Sequence, residues 1–345
     1  MARCAAAASL ACALLVSCSA ALRPVPAKDE LSNGTPAWPD CSPETDGHLA
    51  PHNRTGPFTP VTFNDITWQN KYRYYTLLPT SSERSIFPVL IFMHGSASVY
   101  EMYSPNLEMY ASQGFVVIYP FIEGPKQDHN WWVTNTNGDY IVKGVDYIKT
   151  ANGNLSSPLY QKLDLTNVII AGHSMGGTCS IMAAKRLPSG AVKAAITQHP
   201  GICGPFGPPP SPSTWMETDL REANLKFPMV FMTATNDGAF WPAPQTAEHE
   251  LGCFKGANVT GPIAFVQYTT DSCKEDHARD PYADEGHTCA FKIAPETPWV
   301  TTAIKLYGQQ DGSKTSRCYS MLWGEGEGSL RRDANVEKSL IVNGG

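Results

Sequence analysis

The chain has 345 residues, of which 42% are hydrophobic and 17% are charged, and its formal net charge is −6 at pH 7. This apolar content excludes a disordered chain, and the 28 glycines and 28 prolines exclude a helical bundle or solenoid because they interrupt long helices. The acidic balance and the lack of basic blocks argue against a nucleic-acid partner.

The N-terminal segment has the features of a secretory signal peptide. Arg3 precedes an apolar, alanine-rich run over 4–16, and small residues follow up to Ala21. This pattern predicts removal of residues 1–21 and a secreted protein. The alternative is a lipid anchor, because the residues up to Cys18 resemble a bacterial lipoprotein motif. Residues 22–60 are rich in Pro, Gly, Asp and Ser and predict an extended arm, which we expect Cys41 to anchor.

Apolar runs bounded by turn residues then recur along the chain. Their length and β-branched content predict strands at 72–78, 89–93, 115–121, 168–171, 192–197, 229–233 and 263–268. Helical patterns lie between them at 104–113, 138–150, 175–186 and 298–309. This alternation predicts an α/β fold with a doubly wound, mostly parallel sheet in one catalytic domain over 61–323. Residues 324–345 lack aromatics and are predicted to form a flexible tail.

The cysteines predict disulfides rather than a metal site. Seven remain after the leader, so at least one lies outside a disulfide within the chain, and Cys179 on a predicted apolar helix is the expected thiol. The other six lie in loop-like segments without zinc-ligand spacing. The favoured pairs are Cys289–Cys318 and Cys253–Cys273, which leaves the partners of Cys41 and Cys203 open.

The segment 167–177, with the sequence NVIIAGHSMGG, carries the main functional motif. An apolar strand runs into Gly-x-Ser-x-Gly between Gly172 and Gly176, and an apolar helix follows. This context is typical of a nucleophile elbow, in which a serine lies in a tight turn between strand and helix. Ser174 is therefore the predicted nucleophile, and the backbone amide of Met175 is one predicted donor of the oxyanion hole.

A serine nucleophile needs a histidine base and a carboxylate, which follow it in this fold in the order acid, then histidine. Asp237 is the predicted acid, because the segment with the buried strand 229–233 ends in Asn236-Asp237-Gly238, which places Asp237 at the carboxyl edge of the sheet. Two histidines follow the last predicted strand. We favour His287, in a glycine-led turn before the final helix, over His277 in a charged loop.

The second oxyanion donor is expected in the loop after strand 89–93, where Gly95 permits a close backbone approach. Ser96 is the preferred donor, with Gly95 and Ala97 as alternatives. Trp241, just after the acid, and His173 are predicted to contact substrate. The remaining histidines near strand ends, His94 and His199, are expected to be structural or to line the pocket. Residues 200–226 are too few for a large cap domain, which predicts an open cleft.

These motifs resemble those of the α/β-hydrolase superfamily, and within it the secreted cutinase and polyester-hydrolase group and the chlorophyllase-like proteins. The resemblance covers about 61–318 and rests on the following features: His94-Gly95 after a strand, Gly-x-Ser-Met-Gly-Gly at 172–177, Asn236-Asp237 after a strand, and His287 before a helix and Cys318. Ser96 stands where polyester hydrolases carry an aromatic donor. His173 stands where they carry tryptophan, and histidine there is typical of lipases and chlorophyllases.

The resemblance implies hydrolysis of lipid-like or bulky apolar carboxylic esters through an acyl-enzyme, with no cofactor and no metal. The expected substrate is a small or polymeric ester, and a lipid surface is an alternative place of action. The expected oligomeric state is a monomer. Two other functions are compatible with the same residues: a catalytically inactive hydrolase fold that binds ligands, and an amide or peptide hydrolase.

Overall fold

A mostly parallel sheet of nine strands runs through the part of the chain that the structure describes. Its strands are β1 (Thr59–Trp68), β2 (Tyr72–Thr80), β3 (Phe87–Met93), β4 (Val116–Phe121), β5 (Leu163–His173), β6 (Ala194–Gln198), β8 (Met229–Ala234), β10 (Ile263–Tyr268) and β11 (Val336–Val342). They lie in the order β1-β2-β4-β3-β5-β6-β8-β10-β11. The six strands from β4 to β10 are parallel, whereas β2 pairs antiparallel with β1 and β4, and β11 with β10.

The coordinates are a computed structural model. The residues described are 38, 40–42, 56–69, 72–82, 84–95, 98–122, 138–202, 224–225, 227–235, 237, 246–254, 258–259, 261–269, 286–287, 290 and 295–342, without the side chains of 64 and 65. All of them belong to one compact unit, Ala37–Gly345. Two short strands, β7 (Asn224–Leu225) and β9 (Asn258–Val259), form a separate parallel pair.

Helices cover both faces of the sheet. They are α1 (Tyr100–Ser112), α2 (Asp139–Gly153), α3 (Met175–Arg186), α4 (Ala247–Cys253), α5 (Glu296–Gly308) and α6 (Arg317–Trp323). Side chains of α2, α3 and α4 join the core on one face, and those of α1, α5 and α6 join the core on the other. Strand β3 is buried throughout and alternates between the two cores, with Ile91 in the first and Phe92 in the second. Within the described ranges, no helix has the length and apolar character needed to cross a membrane.

The predicted doubly wound sheet is confirmed. Each of the seven predicted strands overlaps a strand of the sheet, and each of the four predicted helices overlaps a helix. Helix α3 begins and ends at the predicted residues, because the nucleophile turn marks its start and Pro188 follows its end. No large cap domain is evident in the described part of the chain.

The prediction of a flexible tail over 324–345 is wrong as far as Val342. Leu330 is buried, and β11 pairs with β10 from Val336 to Val342. Strand β11 lies at the edge of the sheet, and Leu340 and Ile341 pack against opposite cores. An edge strand exposes much of its length to solvent, so its charged residues hid the strand pattern.

The predicted disulfide Cys289–Cys318 is also wrong, because Cys318 is bonded to Cys41 across 277 residues of sequence. The arm reaches this position through polar contacts: the Asp40 carboxylate accepts hydrogen bonds from the backbone amides of Arg317 and Cys318 at the start of α6. Cys41 thus anchors the arm as predicted. Such pairing depends on how the arm lies on the domain, which cysteine spacing does not encode.

The other cysteine predictions have mixed outcomes. Cys179 is buried and keeps its thiol, as predicted. Cys253 is disulfide-bonded. Its predicted partner Cys273 lies outside the described residues, as do Cys203 and Cys289.

Candidate active site

The serine of the Gly-x-Ser-x-Gly motif lies in a strained turn between β5 and α3. Ser174 has φ 55° and ψ −126°, a conformation that residues other than glycine rarely adopt. A Cβ at Gly176 would lie 2.1 Å from the carbonyl oxygen of Met93, and one at Gly172 would lie 2.4 Å from that of Gly176. The motif therefore needs Gly176 because the turn packs against the end of β3, and Gly172 because the turn packs tightly against itself. The Ser174 amide donates to the carbonyl oxygen of Gln198 at 2.8 Å, which joins the turn to β6.

The predicted acid and base are in contact. His287 Nδ1 donates to Asp237 Oδ1 at 2.9 Å, with the Asp237 side chain fully buried and the His287 side chain 12% exposed. Burial alone would raise the pKa of Asp237, but the hydrogen bonds and electrostatic interactions with His287 and His199 outweigh it and hold that pKa well below its usual range. Asp237 is thus an ionised acceptor for the His287 ring. His277 lies outside the described residues.

His287 lies beside the nucleophile turn. The ring centroids of His287 and His173, the residue before Ser174, are 4.7 Å apart. His173 Nε2 also donates to the backbone carbonyl of His287 at 2.9 Å. The residue that precedes the predicted nucleophile therefore holds the backbone that carries the predicted base.

The substrate contact predicted for His173 does not fit its position. His173 is only 1% exposed, and its Nδ1 lies 2.7 Å from the hydroxyl of Tyr103. Burial lowers the pKa of His173 well below its usual value, and the electrostatic interactions with His287 and His199 lower it further. His173 is a neutral ring beneath the site, and its role there is to position His287. Trp241, the other predicted substrate contact, lies outside the described residues.

One of the predicted oxyanion donors lies where the fold favours negative charge. Met175 is the first residue of α3, where backbone amides lack partners within the helix and the helix dipole is positive. The amide of Gly95, an alternative for the second donor, already donates to the Tyr103 hydroxyl at 2.9 Å. The preferred donor Ser96 and the remaining alternative Ala97 lie outside the described residues.

His199 contacts the predicted acid, a role that the sequence alone did not predict. This residue follows β6 with φ 49°, and its backbone amide donates to the carbonyl of Met232 at 2.6 Å. Its Nδ1 lies 2.7 Å from Asp237 Oδ2, and its Nε2 lies 2.6 Å from Glu296 Oε1. A histidine directly after a buried parallel strand was the available signal, because such strands end at the same edge as Ser174 and Asp237.

Comparison with known families agrees with this geometry. Residues 55–203 match the family described as PET hydrolase-like. The matched stretch contains the nucleophile turn and the loop after β3, but neither Asp237 nor His287. No curated protein matches the chain. PET hydrolase-like proteins are α/β-hydrolases, so the match and the sheet together confirm the fold that the motifs imply.

Proposed function

We propose that this PET hydrolase-like chain is a secreted serine carboxylic-ester hydrolase. The observation that carries the proposal is the 2.9 Å contact between His287 Nδ1 and Asp237 Oδ1, with His287 packed against His173, the residue before Ser174 in its strained turn. The acid is buried and the base is partly exposed, as general-base catalysis toward a substrate in a cleft requires. The match to a PET hydrolase-like family supports ester chemistry.

The reaction follows from these positions. The Ser174 hydroxyl attacks the ester carbonyl carbon while His287 Nε2 takes the hydroxyl proton, and Asp237 stabilises the resulting imidazolium. The Met175 amide and an amide of the loop after β3 stabilise the oxyanion. The tetrahedral intermediate then collapses: the alkoxide takes the proton from His287 and leaves as the alcohol, and the acyl group stays on Ser174 as the acyl-enzyme. Water, deprotonated by His287, then releases the acid and regenerates Ser174.

The proposed substrates are lipid-like or bulky apolar esters, including polymeric ones. The family match supports a polymeric ester. The absence of a large cap among the described residues supports a cleft that admits a bulky chain. The enzyme is proposed to act as a secreted monomer.

Turnover of a series of p-nitrophenyl esters of increasing acyl length tests the chemistry, with wild type, Ser174→Ala and the exposed control Ser156→Ala compared. Removing the nucleophile should abolish detectable turnover, whereas the control should keep wild-type rates. A fluorophosphonate probe should label wild type and the control but not Ser174→Ala. Turnover retained by Ser174→Ala would contradict the assignment of the nucleophile.

The same preparations separate the competing functions. Absence of both turnover and labelling in wild type would favour an inactive fold that binds ligands. Hydrolysis of p-nitroanilides at rates above those of the esters would favour an amide hydrolase. Release of soluble products from a polyester film, compared with turnover of short esters, tests the polymeric substrate.

A further inference from the structure

Behind the acid of the site lies a second buried layer of ionisable groups. Asp237 uses one carboxylate oxygen for His287 and the other for His199, and His199 in turn contacts Glu296. Glu296 is the first residue of α5 and is fully buried, and its second oxygen accepts a hydrogen bond from Gln198 Nε2 at 2.6 Å. The chemical steps of the proposed ester hydrolysis involve Ser174, His287 and Asp237, and the proposed function assigns no part to His199 and Glu296.

The hydrogen bonds of His199 indicate the charge of its ring. The two nitrogens of His199 each face a carboxylate oxygen, at 2.7 and 2.6 Å, distances typical of charge-assisted bonds. An ionised carboxylate only accepts hydrogen bonds, so a ring held between two ionised carboxylates donates from both nitrogens and carries two protons. Burial alone would lower the pKa of His199, but Glu296 and Asp237 outweigh it and raise that pKa to about 10.

The other charged and titratable groups near His199 are compatible with this state. The rings of His173 and His287 lie 5.9 and 5.6 Å from it, centroid to centroid, and His173 is neutral. Glu250 on α4 is fully buried, and burial raises the pKa of its carboxyl well above the usual value, so it is a neutral acid. Asp237 and Glu296 are therefore the carboxyl groups that contact His199 directly.

We propose that Glu296 and His199 extend the site inward as positioning residues: Glu296 holds His199 as a doubly protonated cation, and His199 fixes the Asp237 carboxylate so that Oδ1 faces His287. This inference rests on the proposed function, because Asp237 matters as the partner of the base. Neither residue touches the reacting atoms. A cation on the far oxygen of Asp237 orients the carboxylate and also places positive charge near the base.

The protonation state can be tested without any turnover. In protein labelled with ¹⁵N-histidine, the side-chain ¹H–¹⁵N spectrum at pH 8 should contain one imidazolium whose two nitrogens both carry protons. His199→Asn should remove this signal, while His249→Asn, a histidine outside the site, should leave it. Asparagine tolerates the positive φ of position 199 and can still donate to Asp237. A neutral His199 at pH 8 would overturn the proposal even if wild type hydrolyses no ester.

The kinetic test uses the double variant His199→Asn/Glu296→Gln, which removes the His199 cation together with the Glu296 carboxylate on its far side, while asparagine at 199 can still donate to Asp237. We expect kcat to fall roughly tenfold or more, as for a misplaced catalytic group, with KM within about twofold of wild type. Glu296 contacts the His199 ring on the side opposite Asp237. Of the two charges that the double variant removes, the positive one therefore lies nearer to His287. The acid limb of the kcat/KM profile should therefore move to higher pH by about half a unit.

A role in packing alone would lower the melting temperature and leave this acid limb in place. An unchanged pH profile with kcat within about twofold of wild type would therefore overturn the proposal. The single variant Glu296→Gln, which keeps the size of the side chain, is the milder check. If it neither lowers kcat nor alters the imidazolium signal, Glu296 has no part in holding His199.

Discussion

His173 and His199 occupy neighbouring positions beneath His287 yet are in opposite protonation states. Both are almost completely buried, both lie at the carboxyl end of a parallel strand, and their ring centroids are 5.9 Å apart. His173 contacts a hydroxyl and a backbone carbonyl and is neutral, whereas His199 contacts two carboxylates and is charged. Burial penalises the charge of each ring, so the partners decide the outcome.

The two histidines also hold different parts of the site. His173 joins the backbone of the base to Tyr103, which in turn accepts from Gly95 in the loop after β3. His199 joins the acid to the start of α5. A neutral ring suits a contact with backbone groups and a cation suits a contact with carboxylates, so one residue type supports the base and the acid by different means.

The largest expected effect comes from Asp237, the residue that contacts both the base and His199. Asp237→Asn keeps the size of the side chain but removes the charge that orients the predicted base, so kcat should fall by about 10⁴-fold. The measurement is p-nitrophenyl ester turnover, with Asp146→Asn on the surface of α2 as the control. A loss below about tenfold would mean that Asp237 does not orient the base of this enzyme.

Breaking the hydrogen bonds around His173 should lower the stability of the fold more than the activity of the enzyme. Tyr103→Phe leaves the Gly95 amide and His173 Nδ1 without the hydroxyl, and buried groups of this kind cost about 1 to 3 kcal/mol when unsatisfied. The free energy of unfolding in urea should fall accordingly.

The control for this variant is Tyr119→Phe, whose ring centroid lies 6.0 Å from that of Tyr103. The Tyr119 hydroxyl is buried and has no hydrogen-bond partner within the described part of the chain, so its removal should be neutral or stabilising. If both variants lose the same stability, the Tyr103 hydroxyl contributes nothing specific to this region.

The pH dependence of stability also separates the two histidines. The pKa of His199 is raised from 6.5 to about 10 in the folded state, so its contribution is complete below about pH 6.5 and is lost as pH rises through about 10. The pKa of His173 is lowered, and that of His94 falls to about 4, so these residues make folding less favourable as pH drops below about 6.5.

Thermal denaturation at a series of pH values checks both directions. Wild type should lose stability between about pH 6.5 and 10, and His199→Asn/Glu296→Gln should show less of this loss. Equal slopes in the two proteins over that interval would mean that His199 is not charged in the folded state.

Strongly apolar segments were predictable because burial on both faces leaves a continuous pattern. Strand β3 is buried at every residue and helix α3 is almost entirely buried, and both were predicted close to their observed bounds. The edge strands β1 and β11 were missed because one side of each faces solvent and carries polar residues. Helices α4 and α6 were missed because seven residues are too few for a clear helical period.

The sequence by itself determined the parallel centre of the sheet and the nucleophile turn, and it favoured His287 as the partner of Asp237, because motif, strand order and chain order limit where such residues can lie. Only the tertiary structure decided the Cys41–Cys318 bond, the buried position of His173 and the layer formed by His199 and Glu296. These contacts join residues that are 277, 114 and 97 positions apart. No local pattern encodes them, because each depends on how separate elements pack against one another.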